Sequence, residues 1–165
     1  MNRDTPSASA PAASVLAARR ARLIERFDGP LLIAAGAPQP RNYPANTHPF
    51  RASSHYLYFA GVPLPHAMLW IADGEAIVFA RPHGRDDALW EGPQPSFDEI
   101  ASAIGCPLRA IDELASVIRG RDVATLPVQH AGARAELSRL VGRDAGAPSQ
   151  SDLRLHDAVI ALRLR

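Results

Sequence analysis

The sequence predicts an α/β fold in which helices flank a mixed β-sheet. Short apolar runs alternate with longer segments of helical periodicity. Asp73-Gly74 lies between two apolar runs, as in a β-hairpin. A chain of 165 residues, 47% hydrophobic and 21% charged, has the size and composition of one globular domain. An antiparallel hairpin among strands that alternate with helices implies a sheet of mixed direction.

The first elements follow from apolar spacing and turn residues. Apolar residues at helical spacing over residues 14–27 predict a helix that Ser14 caps and Gly29-Pro30 ends. The apolar run over residues 31–35 predicts a buried strand. Residues 36–49, with four prolines, are predicted to form a loop, and loops of this length in a compact domain are often functional.

Three strands are predicted in the middle of the chain. The aromatic residues at 56–59, closed by Gly61, predict the first of them. Residues 67–72 and 75–80 predict the other two, and Asp73-Gly74 joins this pair as a hairpin.

The remaining segments alternate between helices and one strand. Ser96 caps a predicted helix that ends at Ile104, and Glu99 completes a capping box. The later predicted elements are, in order, a helix over residues 111–118, a strand over 123–126, a helix over 131–141 that ends at Gly142, and an amphipathic run over 152–165.

Composition and charge exclude several functions. All 18 basic residues are arginine, so Schiff-base lysine chemistry and a P-loop are excluded. The net charge of +1 and the scattered arginines favour neither nucleic acid nor an anionic membrane as a partner, and no apolar stretch has the length of a membrane helix. Because Cys106 is the single cysteine, an internal disulfide is impossible and a cytoplasmic location is expected.

Sequence motifs for a complete catalytic site are absent, including GxGxxG, HExxH, paired CxxC and GxSxG. The six histidines are spread along the chain without an i, i+4 pair, and no metal site is predicted. His83 with Asp86 or Asp87 could act as a base and its orienting carboxylate in a small hydrolase. We favour a solvated loop whose acids cap the next helix, because no serine nucleophile accompanies this cluster.

Three segments resemble the N-terminal domain of Xaa-Pro aminopeptidases, the aminopeptidase P family. Residues 50–61, FRASSHYLYFAG, follow the family pattern (Y/F)-R-x-(N/S)-S-(D/H)-(F/Y)-x-Y-(L/F)-(T/A)-G. Residues 80–82 and 86–92, ARP and DDALWEG, resemble the family's R-x-(R/P)-(D/H) and E-x-W-x-G stretch. Residues 159–164, VIALRL, resemble its (V/I)-x-x-(L/M)-R segment. The order and spacing agree, so the match runs from about residue 19 to residue 165.

This resemblance implies a ribonuclease-H-like mixed α/β fold that precedes a pita-bread catalytic domain. In the family, that domain holds two divalent metals, usually manganese, which activate the water that cleaves the bond before proline. We therefore expect a disordered tail over residues 1–14, the N-terminal domain over 15–150, and over 151–165 the start of a linker to a catalytic domain absent from this chain. The chain itself is expected to hold no catalytic residue and no metal ligand.

Two residues are expected to contact substrate. Trp90 matches the tryptophan of the family's W-x-G stretch, which implies that it reaches the active site of a neighbouring subunit. From the residues alone, Trp90 is equally a recognition anchor in a Gly/Pro loop or a core plug. Asn46 falls near an acidic position of the family, where an amide would bind a substrate amino terminus only weakly. The family's arginine after W-x-G is replaced around Pro93-Gln94.

The expected function is that of a non-catalytic N-terminal domain of an Xaa-Pro aminopeptidase-like metallopeptidase. Such a domain would help enclose a proline-containing peptide and support homo-oligomerisation. Prolidase and creatinase relatives share the fold and stay open as alternatives. A stand-alone binding module of the same fold, without an enzyme, is also open, as is the small hydrolase built on His83 and Asp86.

Overall fold

A five-stranded mixed sheet lies at the centre of the computed structural model, which describes residues 11–43, 46–82, 92, 94–128 and 130–164. The strands are β1 (Leu31–Ala34), β2 (Met68–Ala72), β3 (Glu75–Ala80), β4 (Leu108–Ala110) and β5 (Ala124–Thr125). The helices of the described residues are α1 (Ala13–Arg26), α2 (Ser54–Ala60), α3 (Phe97–Ile104), α4 (Leu114–Ile118), α5 (Ala131–Val141) and α6 (Gln150–Arg163), and a 3-10 turn over Ile111–Glu113 precedes α4. The predicted α/β class with flanking helices is confirmed.

The sheet has the strand order β4-β3-β2-β1-β5. Its centre is antiparallel, because β2 pairs with both β1 and β3 in that sense, whereas β4 and β5 join the edges in parallel. Asp73 and Gly74 connect β2 to β3 with φ angles of 54° and 79°, in the left-handed region that a type I′ turn requires. The predicted hairpin is therefore confirmed.

Alternate residues of the strands face two apolar layers. Leu31 and Ile33 of β1 face the larger layer, which contains side chains of α1, α2, α3 and α6. Leu32 and Ala34 face the smaller layer, which contains side chains of α4 and α5. Because both faces of the sheet are covered, β1 and β2 are buried along their whole length.

The predicted strand over residues 56–59 is wrong, because these residues belong to helix α2. Tyr56 and Phe59 stand three residues apart and form a fully buried helical face. Gly61 ends the helix with a left-handed φ of 77°, and a Cβ at this position would lie 2.6 Å from Cδ1 of Leu16. Packing against the core thus overrides the preference of aromatic residues for strands.

Other differences concern a helix end and an edge strand. Helix α1 begins at Ala13 with Ala12 as its N-cap, so Ser14 lies in the first turn and its predicted capping role is wrong. Strand β4 was not predicted, because three residues that include an arginine carry no apolar run. The predicted capping box of α3 is confirmed, with the Ser96 N–H donating to Oε2 of Glu99 over 2.7 Å.

A buried arginine of α1 joins three helices. Arg20 donates from Nη1 to the carbonyl of Phe59 over 2.8 Å, and from Nη2 to the carbonyls of Ile104 and Gly105 over 2.9 and 2.8 Å. These carbonyls lie at the C-terminal ends of α2 and α3, where the last carbonyl groups of a helix have no N–H partner within the helix. Burial lowers the pKa of Arg20, while the negative ends of two helices favour its charged form.

Helix α6 contributes directly to the core. Ser149 and Asp152 form a capping box at its start. Leu155, Val159 and Leu162 are buried in the larger apolar layer. The predicted boundary between residues 150 and 151 falls at the beginning of this helix, and that division of the chain stays a prediction.

None of the described helices is both long enough and apolar enough to cross a membrane.

The single cysteine lies between α3 and β4. Cys106 is half-buried and packs against the larger apolar layer. Burial raises the pKa of its thiol, and the nearby charge of Arg20 opposes this effect without cancelling it. The thiol is therefore protonated at neutral pH.

Candidate functional site

A cleft of about 550 Å³ opens at the carboxyl ends of β1 and β5. The two strands are parallel neighbours, yet β1 leads to α2 in the larger layer and β5 leads to α5 in the smaller one. Where successive connections diverge in this way, open α/β sheets leave a crevice that commonly binds ligands. We call it the β1/β5 cleft, and its lining residues are Ala34, Ala35, Gly36, Ala37, Arg51, Ala52, Ser53, Ser54, His55, Leu57, Pro127, Val128, His130, Ala133 and His156.

The ionisable side chains that line the β1/β5 cleft are all basic. Arg51 comes from the loop before α2, and His55 lies in α2 itself. His130 is the N-cap residue of α5, and His156 lies in α6. None of the described lining residues is an aspartate or a glutamate. This lining favours an anion over a cation.

The imidazole of His55 accepts a hydrogen bond from an arginine. Its Nδ1 lies 2.8 Å from Nη1 of Arg163, and the guanidinium must be the donor because it has no acceptor atom. The proton of His55 is then on Nε2. Burial lowers the pKa of His55, and the charges of Arg163 and His156 lower it further. The ring of His156 lies edge-on at 6.4 Å. His55 is therefore neutral at pH 7.

Arg163, in the last turn of α6, connects this helix to α2. Its Nη1 also lies 3.2 Å from Oγ of Ser54, and its guanidinium carbon lies 6.0 Å from the ring centre of Tyr58. Arg19 contacts the same ring at 4.2 Å, in cation–π geometry. The hydroxyl of Tyr58 donates to the carbonyl of Leu162 over 3.1 Å. These contacts fix the position of Arg163 behind His55.

A second cavity, of about 240 Å³, shares two lining residues with the β1/β5 cleft and contains Asp152 in its wall. Oδ1 of Asp152 accepts from the Thr125 N–H and from Nη2 of Arg143, each over 2.6 Å. Oδ2 accepts from the Ser149 N–H over 2.8 Å. Burial raises the pKa of Asp152, but these donors outweigh burial and hold it below its ordinary value. Both carboxylate oxygens are engaged, so Asp152 anchors β5 to α6 and is not placed as a free base.

Of the two predicted substrate-contact residues, the structure describes Asn46. It lies in an arm between β1 and α2, in which Pro40 pairs with Thr47. Its Nδ2 donates to Oδ1 of Asn42 over 2.8 Å, and it does not line the β1/β5 cleft. The exposed side chain of Tyr43 belongs to the same arm. Asn46 is thus placed at the surface, separate from the cleft.

The other predicted site residues lie outside the described residues. Trp90 is one of them, and His83, Asp86 and Asp87 of the alternative hydrolase cluster are the others. Their predicted roles stay predictions.

No sequence motif marks the residues of the β1/β5 cleft as a site. Arg51 and His55 belong to a segment that resembles the family, and that membership is the one available signal. His130 and His156 stand in distant segments with no shared motif. The pairing of β1 with β5 and the docking of α5 and α6 bring these groups to one crevice.

The described residues offer no group of three or more His, Cys, Asp or Glu side chains that could hold a metal ion. The two metals that the family resemblance implies belong to the following catalytic domain. No catalytic step is therefore assigned to a metal bound here.

Comparison with known proteins identifies one family. The sequence model of the family described as "Aminopeptidase P, N-terminal domain" matches residues 16–123. No curated protein matches the chain.

Several solved structures share the fold. Aminopeptidase P from Escherichia coli with the inhibitor Pro-Leu is 22% identical, with a TM-score of 0.65 over 79% of this chain and 32% of that chain. Zinc-substituted E. coli aminopeptidase P in complex with product is 21% identical, with a TM-score of 0.63 over 94% of this chain and 34% of that one. Proline aminopeptidase P II from Yersinia pestis is 19% identical, with a TM-score of 0.62 over 80% and 32%. The chain spans about a third of the length of these enzymes.

Proposed function

The chain belongs to the aminopeptidase P N-terminal domain family, and on that premise we propose that it is the non-catalytic N-terminal domain of an Xaa-Pro aminopeptidase-like metallopeptidase. The observation that carries the proposal is the family match over residues 16–123, which the same fold in three aminopeptidase P structures supports. The reaction would be removal of an N-terminal residue that precedes proline. A following catalytic domain would supply two divalent metals, manganese in our proposal, and the hydrolytic water.

The division of labour can be tested with the chain alone. We expect no turnover of an Xaa-Pro peptide by the 165 residues with added manganese, because the described residues offer no metal-ligand cluster. The matched control is the full-length protein under the same conditions, which should turn over. Turnover by the chain above the blank would overturn the proposal.

Within the full-length protein, we assign Trp90 a role in enclosing the substrate. An aminopeptidase must hold the amino terminus of the peptide at a fixed distance from the bond that it cleaves. A rigid wall beside the active site would set that distance. Asn46 would contribute weakly to binding of the substrate amino terminus. Its Nδ2 already donates to Asn42, which supports a minor role.

Trp90→Ala in the full-length enzyme tests this assignment. We expect kcat/KM to fall by about tenfold, the loss typical of one aromatic contact, with an unchanged melting temperature. Trp90→Phe, which keeps an aromatic ring, should retain most of the activity. Unchanged kinetics, or a collapsed fold, would contradict the recognition role.

We also propose that the full-length protein is a cytoplasmic homo-oligomer. The single cysteine of these 165 residues fits a reducing compartment, and Trp90 would reach the active site of a neighbouring subunit only in an oligomer. Sedimentation of the full-length protein measures its mass directly, and a monomer would contradict this part of the proposal.

A stand-alone binding module is the second candidate function. The β1/β5 cleft favours it, because a cleft of about 550 Å³ with a basic lining has the size of a small-molecule site. The reading frame after Arg165 separates the two candidates: a stop codon supports the module, and a continuing frame with metal-ligand carboxylates supports the enzyme. Assays with tripeptides, Xaa-Pro dipeptides and creatine then separate the aminopeptidase, prolidase and creatinase branches.

A further inference from the structure

We propose that the β1/β5 cleft binds a small organic carboxylate, held by Arg51 and the neighbouring imidazoles of His130 and His156. The carboxyl terminus of a short peptide has the required chemistry. This site goes beyond the proposed function, because it needs neither the catalytic domain nor its metals. Three observations carry the inference: the position of the cleft in the sheet, the charge of its lining and its size.

The position is set by the strand connections. β1 and β5 are parallel and end at the same edge of the sheet, and the chain continues from them into helices on opposite faces. The cleft therefore follows from the topology. Small side chains at the end of β1 and directly after it line the cleft, so a ligand can approach the main chain closely. These residues are Ala34, Ala35, Gly36 and Ala37.

The guanidinium groups of Arg51 and Arg163 have no carboxylate partner among the described residues. Arg163 instead donates to Ser54 and His55, which are both neutral acceptors. An uncompensated guanidinium at the mouth of a cleft attracts an anion and can bind a carboxylate through two parallel N–H donors.

The elements around the cleft carry more basic than acidic groups. The basic groups are Arg51 from the loop before α2, His55 from α2, His130 at the start of α5, Arg134 and Arg139 from α5, and Arg154, His156 and Arg163 from α6, and the acidic groups are Glu136 from α5 and Asp152 and Asp157 from α6. Asp152 is engaged by Thr125, Ser149 and Arg143. Glu136 lies 3.5 Å from His66 and is engaged there. Asp157 lies 3.8 Å from Nδ1 of His156, with its side chain 88% exposed to solvent. The sum around the cleft is positive, and it becomes more so as imidazoles take up protons.

The size of the cleft selects an organic ligand. A volume of about 550 Å³ is within the range of small-molecule sites and far exceeds the ~30 Å³ of one water molecule. Leu57, Val128 and several alanines give much of the lining an apolar surface. A carboxylate attached to an apolar body would use both parts of the site, whereas inorganic phosphate would use only the basic part.

Binding should strengthen as the pH falls. In the free protein His55 is neutral, because its Nδ1 accepts from Arg163. A bound anion favours the protonated form of nearby imidazoles, so binding takes up protons. The guanidinium groups keep their charge across this range, and the imidazole of His55 accounts for the expected change.

The test is a titration of the 165-residue chain with N-acetyl-alanyl-leucine, followed by NMR and calorimetry at pH 6 and pH 8. The C-terminal amide of the same peptide is the matched control ligand. We expect the free acid to bind roughly tenfold more tightly than the amide, the effect of one charge-assisted pair, and more tightly at pH 6 than at pH 8. Equal affinity for acid and amide would overturn the proposal. So would inorganic phosphate that binds as tightly as the acid, because the apolar part of the site would then have no role.

Three variants locate the site. Arg51→Gln should weaken binding of the free acid by roughly tenfold, and because Arg51 is exposed it should leave the melting temperature unchanged. Arg119→Gln removes the same charge from an exposed arginine at the end of α4, outside the cleft lining, and should bind like the unchanged chain. His156→Gln should also weaken binding of the free acid, because it removes one of the proposed contacts. Equal binding by the Arg51 and Arg119 variants would overturn the assignment to this cleft.

Discussion

Buried polar side chains of this chain differ in whether their hydrogen bonds are satisfied. Asp152 engages both carboxylate oxygens, with donors from β5, from the loop before α6 and from Arg143. The hydroxyl of Tyr56 is buried without a partner among the described residues, and burial raises its pKa. A buried polar group without a hydrogen bond has nothing to offset the cost of its desolvation. Of these two side chains, Asp152 therefore stabilises the fold through its hydrogen bonds, and the hydroxyl of Tyr56 does not.

Replacement of Asp152 should make the protein less stable at neutral pH. The hydrogen bonds hold the pKa of Asp152 in the folded protein below its ordinary value of about 3.9. The stabilisation by this carboxylate is therefore complete above about pH 4, and is lost as the pH falls through the folded-state pKa. Asp152→Asn should lower the free energy of unfolding by about 3 kcal/mol at pH 7, because it breaks a buried charge pair.

Urea unfolding at pH 7 and pH 3 measures both effects. The variant should lose less stability than the unchanged chain between these two pH values. Asp157→Asn is the matched control, because this carboxylate lies on the same helix but its side chain is 88% exposed. Equal stability of the two variants at pH 7 would contradict the anchoring role of Asp152.

Whole elements could be predicted where one local signal dominates. The hairpin at Asp73-Gly74 and the capped helix α3 are of this kind, because turn and cap chemistry act within a few residues. Helix α2 carries conflicting signals: its aromatic residues favour a strand, whereas its packing and Gly61 favour a helix. Strand β4 exists through its parallel pairing with β3, which no local pattern encodes.

The candidate site could be predicted only in part for the same reason. Arg51 and His55 belong to a segment that resembles the family, so sequence comparison reaches them. The cleft itself depends on the pairing of β1 with β5, which joins distant segments of the chain. Histidines as far apart as His130 and His156 meet only after that pairing and the docking of α5 and α6.

The end of α2 provides a sharp test of helix termination. Gly61→Ala should destabilise the protein by about 3 kcal/mol, because it combines a left-handed φ with a Cβ 2.6 Å from Leu16. Gly142→Ala at the end of α5 is the matched comparison, with a φ of 70° and no atom within 4 Å of the added Cβ. It should cost about 1 kcal/mol. Urea unfolding compares the two, and equal losses would show that the contact with Leu16 relaxes.

At the scale of the whole molecule, the larger apolar layer draws on both ends of the described chain. Helix α1 near the start and helix α6 near the end pack against the same face of the sheet, and α6 adds three buried side chains. The layer is therefore complete only when both helices are docked. This matters for any division of the chain into parts.

A chain shortened to residues 1–149 should not fold cooperatively. It would lose the buried side chains of α6 and leave the Thr125 N–H without its carboxylate partner. A chain that ends at Arg163 is the matched control and should unfold like the unchanged one, because Leu164 is 82% exposed. Thermal unfolding followed by near-ultraviolet circular dichroism measures this. A sharp transition in the 149-residue chain would contradict the prediction.

Because Cys106 is half-buried, the reactivity of its thiol reports local opening of the folded protein. Because the chain holds one thiol, every alkylation event on the native protein occurs at the junction of α3 and β4. Its raised pKa makes the closed form slow to react, so the labelling rate follows transient opening of that junction. The labelling rate of Cys106 at several reagent concentrations would yield the equilibrium constant and the rate of opening without any substitution. The same measurement would apply to a longer protein whose remaining residues carry no cysteine.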